Sequence, residues 1–265
     1  MELVDIGINL THSSFRQDRE AVIDRARDAG VAHMVVTGTS TAASQAARTL
    51  AMRYPGTLYA TAGVHPHGAR DWRDDTRAVL SALAATAEVV ALGEMGLDFN
   101  RNYSPPADQE RVFEAQLELA AELRLPVFLH ERDARQAFLS ILAPYRDRLG
   151  AAVVHCFTGS ADDLAAYLDW DLHIGITGWI CDERRGLHLR ELVQRIPLQR
   201  LMLETDAPFL LPRDLRPVPH GRRNEPAFLP HVLNQVAASL ELPAATVAAA
   251  TTANARAFFR IGASG

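Results

Sequence analysis

Residues 126–155 read PVFLHERDARQAFLSILAPYRDRLGAAVVH. The stretch opens on a short apolar run, Pro126 to His130. It passes through a helical pattern from Asp133 to about Tyr145 and returns to a second apolar run, Ala151 to His155. Such a sequence predicts a strand–helix–strand unit whose strands pair in parallel, because each return must cross over the sheet. Runs apolar almost throughout fit strands covered on both faces. Each of these two runs also ends in a histidine.

The same unit recurs in both directions. Upstream, the apolar runs are Leu3 to Leu10, Ala32 to Thr37, Leu58 to Val64 and Val89 to Gly93. The helical patterns that follow them span about Phe15 to Ala29, Thr41 to Tyr54, Asp74 to Ala87 and Asp108 to Arg124, the last entered through Pro105 and Pro106. Prolines cost little there, since the first N–H groups of a helix have no partner. Downstream, Ser160 caps a helix, Leu172 to Ile176 is the seventh run, and a helix over about Gly186 to Gln194 precedes the eighth, Leu201 to Glu204. Helices near Pro226 to Leu240 and Pro243 to Phe259 close the chain. An open doubly wound sheet gives a similar pattern. Eight runs in 265 residues favour a closed (β/α)₈ TIM barrel, which needs roughly 250 residues, as one domain over 1–265. The irregular stretch Leu211 to Glu225 is long enough to suggest a functional loop.

Composition narrows the function. Hydrophobic residues at 48% and charged residues at 22% are an ordinary globular balance. A net charge of −5, from 27 Lys+Arg against 32 Asp+Glu, argues against a broad basic face for nucleic acid. It leaves room for an enzyme that grips a strand locally and sets metal ions against phosphate. Two cysteines, Cys156 and Cys181, are no disulfide framework. The opening MELVDIGINL lacks a basic n-region, and no apolar run approaches the roughly 18 residues of a membrane span. The expectation is a soluble, reduced, cytoplasmic protein acting as a monomer away from membranes.

The ligand-type residues fall where the runs end: His65 and His67 after the third, Glu94 after the fourth, His130 and His155 at the fifth and sixth, Glu204 and Asp206 at the eighth. In a parallel barrel the C-terminal strand ends meet on one face, where active sites of such barrels lie. Glu94, His130, His155 and Asp206 would there surround one or two divalent ions, with Zn²⁺, Mn²⁺ and Mg²⁺ all open. A lone histidine beside a strand is most often a hydrogen-bonded structural residue, and Glu94 alone reads as half an ion pair. Four such residues at four strand ends point instead to a site. Arg184 and Arg185 follow the seventh run, and Arg213 and Arg223 lie after the eighth; they suit phosphate, although interleaved acids also fit a salt-bridged surface. Trp179, Phe99 and Phe209 suit stacking on bases, though aromatics more often serve the core. Cys156 is expected to turn away from the face of His155 by strand alternation, as a buried inert thiol.

These residues carry a wider pattern: DIGINLT at 5–11, TAGVHPH at 61–67, ALGEMGLDFNRN at 91–102, PVFLHERDA at 126–134, VVHCFTG at 153–159, GITGWICDERRG at 175–186, LETDAPFLLPRDL at 203–215 and RRNEPAFLPH at 222–231. Together they resemble the TatD family of metal-dependent hydrolases over nearly the whole chain. The resemblance implies a TIM barrel and a divalent metal, Mg²⁺ in the first place. It also implies 3′→5′ exonuclease action on single-stranded DNA or RNA. It makes Glu94, His130 and His155 metal ligands and Asp206 the residue that binds metal and handles the nucleophilic water; Glu94 and Asp206 are then catalytic. His65 would sit beside the substrate phosphate, with His67, Glu204, Arg184, Arg185, Arg213 and Arg223 also toward substrate. Many relatives open with Asp-x-His-x-His on strand one. Here the stretch is Asp5-Ile-Gly7-Ile-Asn9, and glycine cannot ligate. A weaker site, one Mg²⁺ held firmly and a second only with substrate, is expected. Two rival readings remain: an amidohydrolase or esterase of the same barrel acting on a small molecule or aminoacyl-tRNA, and a non-catalytic scaffold with a decayed metal site.

Overall fold

The apolar runs become strands and the amphipathic segments become the helices between them. The computed structural model describes residues 2–262. Its strands are β1 (Leu3–Ile8), β2 (Val31–Val36), β3 (Leu58–Ala62), β4 (Val89–Asp98), β5 (Val127–Arg132), β6 (Ala152–Val154), β7 (His173–Ile176) and β8 (Leu201–Leu203). Its helices are α1 (Arg19–Asp28), α2 (Thr41–Arg53), α3 (Thr76–Ala84), α4 (Pro106–Leu123), α5 (Arg135–Leu142), α6 (Ala161–Asp169), α7 (Leu187–Leu192), α8 (Leu229–Leu240) and α9 (Ala244–Phe259). The strands form one sheet in the order β1 to β8, every neighbouring pair parallel.

Closure of the barrel is the work of β1 and the residues just past β8. The N–H of Asp206 donates to the carbonyl of Gly7 at 2.9 Å, and that of Asn9 to the carbonyl of Ala207 at 2.8 Å. The buried carboxylate of Asp5 accepts the N–H of Thr205 at 2.9 Å and its hydroxyl as well. These bonds satisfy edge groups that an open sheet would leave unpaired.

The core has two parts. Inside the barrel, Val4, Ile6, Val35, Ala91, Phe128, Val153 and Met202 pack together, and Phe258 and Phe259 of α9 join them. Between barrel and helices lies the larger apolar annulus, including Phe15, Leu50, Leu80, Phe113, Leu117, Phe138, Tyr167, Leu189 and Val232. Helix starts follow local chemistry. Ser160 and Asp163 form a reciprocal capping box on α6, and Ser40 caps α2.

Three expectations change. The first helix begins at Arg19, after a 3₁₀ turn at Ser13–Phe15, rather than near Phe15. Strand β4 runs on to Asp98, past the Gly93 where its apolar run stops. Strand β6 ends at Val154, so alternation does not govern Cys156: its backbone is left-handed (φ 49°), and its Sγ lies 3.9 Å from the Thr177 hydroxyl. Among the described residues no single helix is long and apolar enough to cross a membrane; α8 and α9 meet that composition only together, across a 112° bend.

Candidate metal centre and active site

Strand periodicity places the candidate ligands. Phe128 faces the barrel interior and His130 is two residues on; Val153 and His155 stand in the same relation, as do Met202 and Glu204. Glu94 is three residues beyond inward-facing Ala91, an offset that alternation would turn outward. The pairing of β4 with β5 shifts register between Leu92 and Met95, and this irregularity brings Glu94 to the inner face.

The side chains converge there. Oε1 of Glu94 lies 2.7 Å from His155 Nε2, 2.9 Å from His130 Nδ1 and 3.2 Å from His65 Nε2. Burial alone would raise the Glu94 carboxyl, but the surrounding imidazoles outweigh it and hold the group well below the usual carboxylate range. His155 shows the converse. Burial opposes its charge, yet Glu94 and Glu204 keep the ring protonated well above the ordinary histidine value. Burial pushes His65 down to about 4, leaving it neutral at physiological pH.

Hydrogen bonds on the far side of each ring set its role. Nδ1 of His155 faces the Glu204 carboxylate at 3.3 Å, so Nε2 is the atom offered to the centre. His130 turns Nδ1 to Glu94, and its Nε2 is buried with no hydrogen-bond partner. Asp98 Oδ2 stands 3.6 Å from that nitrogen, too far for a hydrogen bond. Nδ1 of His65 accepts the N–H of His67 at 3.0 Å, which puts the proton of the neutral ring on Nε2. His65 is thus a hydrogen-bond donor, better suited to a phosphate oxygen than to a metal, although its ligand atom lies within 4.8 Å of those of Glu94 and His130.

Asp206 and Glu204 differ in placement. Asp206 is partly exposed, in a left-handed backbone (φ 52°) that only surrounding contacts hold, and its Oδ1 accepts from Asn9 Nδ2 at 2.9 Å. Burial, reinforced by Glu94 and Glu204 and opposed by His155, raises its carboxyl to about 7. Glu204 is fully buried, bonded to His155 and to the N–H of Cys156. Its space exists because two neighbours lack side chains. A Cβ on Gly7 would lie 2.5 Å from Glu204 Oε2, and one on Gly175 would lie 2.7 Å from Oε1. Gly7 and Gly175 therefore make room for Glu204.

Sequence reasoning missed Asp98. It is buried at the end of β4, 2.7 Å from His67 Nε2, and accepts the Arg101 N–H at 2.8 Å. Burial would raise it, but the His130 and His67 rings hold it below the usual carboxylate range. Its signal was the alternation of apolar Met95 and Leu97 with Glu94, Gly96 and Asp98, which carries the strand past the continuous apolar run. Tyr103 was also missed; it is 50% exposed and sits edge-on to His67 at 4.7 Å.

The arginines separate. Arg185 and Arg213 line a cavity of about 310 Å³ walled by Gly178, Trp179, Leu210 and Leu211. Arg184 lines a different cavity, with Arg213 and Cys181. Arg223 is not brought to the centre. Its guanidinium pairs with Asp18 and Glu225 at 2.6 Å and lies over the Phe15 ring at 4.8 Å, where it braces α1. Phe209 is 49% exposed, while Phe99 packs on the core.

The donor set fits a divalent cation on two counts. His130 Nε2 is a buried nitrogen without a partner. Asp5, Glu94, Asp98, Glu204 and Asp206 crowd one end of the barrel, and none has an arginine side chain among its described hydrogen bonds or ion pairs. Buried carboxylates without a cation must hold protons instead. Burial raises the Asp5 carboxyl to about 8 and that of Asp206 to about 7, the direction expected of carboxylates that lack a cation.

Residues 4–260 match the family described as TatD related DNase. A "3'-5' ssDNA/RNA exonuclease TatD" of Yersinia pseudotuberculosis serotype O:3 (strain YPIII) is 57% identical over 259 residues, covering 98% of this chain and all of that one. The protein of the same name from Dickeya dadantii (strain 3937) is 56% identical over 260 residues, covering 98% of each. Among solved structures, YJJV, a TatD homolog from Escherichia coli k12, superposes with a TM-score of 0.89 at 29% identity over 98% of both chains. A lactonase from Listeria monocytogenes shares the fold alone, with a TM-score of 0.65 at 10% identity over 97% of this chain and 94% of that one.

Proposed function

The chain belongs to the TatD-related DNase family, and on that premise we propose that it is a metal-dependent 3′→5′ exonuclease hydrolysing phosphodiester bonds of single-stranded DNA or RNA. The observation that carries the proposal is the meeting of three imidazole nitrogens on one carboxylate oxygen, beside an unpartnered His130 nitrogen, at the C-terminal ends of parallel strands.

Glu94, His130 and His155 would hold the cation, and Asp206 would complete the set. When bound, a divalent cation supplies positive charge to the phosphoryl oxygens and makes a water molecule more acidic. Mg²⁺ suits the carboxylate-rich surroundings, with Mn²⁺ as the close alternative and Zn²⁺ favoured only by the imidazoles. Asp206 orients the attacking water and accepts its proton. His65 donates Nε2–H to a non-bridging oxygen, and His67, anchored by Asp98, flanks it. Glu204 does not reach substrate; it fixes the His155 ring so that Nε2 faces inward.

The strand itself would lie across the exposed aromatics at this end. Tyr103 and Phe209 offer stacking faces, and the Trp179 cavity has the apolar walls and arginine rim that a base and its phosphate require. The deciding experiment follows label release from 3′- and 5′-labelled single strands with Mg²⁺ or Mn²⁺ and with EDTA. Early release of 3′-terminal mononucleotide, abolished by EDTA and by Glu94→Ala at matched folding, is the expected result. Release from the 5′ end first, or equal turnover by Glu94→Ala, would overturn it. Cleavage of amides or esters without nucleotide release would favour the amidohydrolase rival.

A further inference from the structure

A second group of metal-binding side chains lies outside this centre and shares no residue with it. Cys181 ends the short 3₁₀ turn after β7, Asp214 lies in the irregular segment after β8, and His231 is in the first turn of α8. One ligand-type atom from each lies within 4.8 Å of the other two. His231 Nε2 and Asp214 Oδ1 are 2.7 Å apart. Cys181 is fully buried, while the Asp214 and His231 side chains are about 30% exposed. A cavity of about 420 Å³ opens over Cys181 and Asp214, which gives an ion a way in and leaves room for a water as fourth ligand.

We propose that Cys181, Asp214 and His231 form a second divalent-metal site of the zinc type, which clamps the segment after β8 onto α8 and the turn after β7. Thiolate, imidazole and carboxylate on three sides with one open position are a zinc donor set. The charges balance: one thiolate and one carboxylate neutralise a dication, and binding releases the thiol proton to solvent. The neighbouring arginines are committed elsewhere. Arg184 and Arg213 pair with Asp182, and Arg216 donates to the backbone carbonyls of Arg213 and Leu215. The clamp has a mechanical purpose, because the pinned segment carries Arg213 and Phe209 beside the mouth of the barrel. An ion joining three segments distant in sequence removes much of that segment's freedom.

Cobalt(II) is the probe, because thiolate coordination produces an intense near-ultraviolet charge-transfer band and the ligands proposed for the first centre include no sulfur. Titration of the full chain should give that band, with Zn²⁺ displacing it. Cys181→Ser should remove the band, while Cys156→Ser and Glu94→Gln should keep it. Asp214→Asn and His231→Gln, at partly exposed positions, test the site even if Cys181→Ser folds poorly; each should weaken cobalt binding at least tenfold. Excess Zn²⁺ should raise the melting temperature of wild type by about 5 °C more than that of His231→Gln. Absence of the band in wild type, its survival in Cys181→Ser, or its loss in Cys156→Ser would overturn the proposal. Nuclease activity enters none of these readings, so the outcome is separate from that of the first centre.

Discussion

At the scale of single residues, the best-defined feature is the fit of Glu204 between two glycines. A methyl on Gly7 would press on Glu204 Oε2 at 2.5 Å and on the Phe128 ring at 3.0 Å. Gly7→Ala should therefore lose about 1–3 kcal/mol in urea denaturation. It should also lower kcat, because a displaced Glu204 no longer orients His155. Combined with Glu204→Ala, the glycine change should cost clearly less than alone; strict additivity would show that the two do not meet. The exposed aromatics make a second prediction. Tyr103→Ala and Phe209→Ala should each raise KM for oligonucleotides on the order of tenfold with kcat little changed, as the loss of one stacked base requires. The placement of His130 and His155 was readable because each lies two residues past an inward-facing strand residue, whereas that of Glu94 depends on the register shift in β4. Glu204 was misread as a substrate contact, since its burial is decided by glycines on two remote strands.

At the scale of elements, β4 and the segment after β8 carry the consequences. The register shift in β4 turns Glu94 inward, and the unexpected final residues of the strand deliver Asp98. Met95 and Leu97, both buried in the apolar annulus, alternate with Glu94, Gly96 and Asp98, but the register shift that sets this alternation is fixed only by pairing with β5. The arginines likewise could be assigned to a loop but not to partners, which depend on where α1 and the turn after β7 come to rest. Arg223 and Arg185 should now separate cleanly. Arg223→Ala breaks the network with Asp18 and Glu225 and should cost about 1–2 kcal/mol while leaving oligonucleotide KM unchanged. Arg185→Ala should raise KM several-fold without a stability loss. Reversal of these two outcomes would return Arg223 to the substrate path.

At the scale of the molecule, eight alternating units sufficed to read the barrel, whereas its seam did not show, since Asp5 and Thr205 are joined only by folding. Two responses belong to the whole fold. Burial, then nearby Arg200, pushes His173 at the start of β7 down to about 4. The folded state resists this proton while the unfolded chain takes it at the ordinary value near 6.5. The stability His173 contributes is present above about 6.5 and is lost as pH falls toward 4, by on the order of 2–3 kcal/mol. His173→Asn should flatten the stability curve across that window, and an unchanged slope would contradict the assignment. The crowded carboxylates make the second response: Mg²⁺ or Mn²⁺ should raise the melting temperature of wild type by several degrees and that of Glu94→Gln by far less.

The proposed ligands come from strands scattered along the chain, and this dispersal has a practical consequence. A cut in the exposed turn at residues 100–103 parts His65 and Glu94 from His130, His155 and Asp206. Neither fragment then owns a complete catalytic set. Mixed fragments would regain hydrolysis only as fast as they rebuild the cylinder, so nucleotide release would serve as a clock for their complementation.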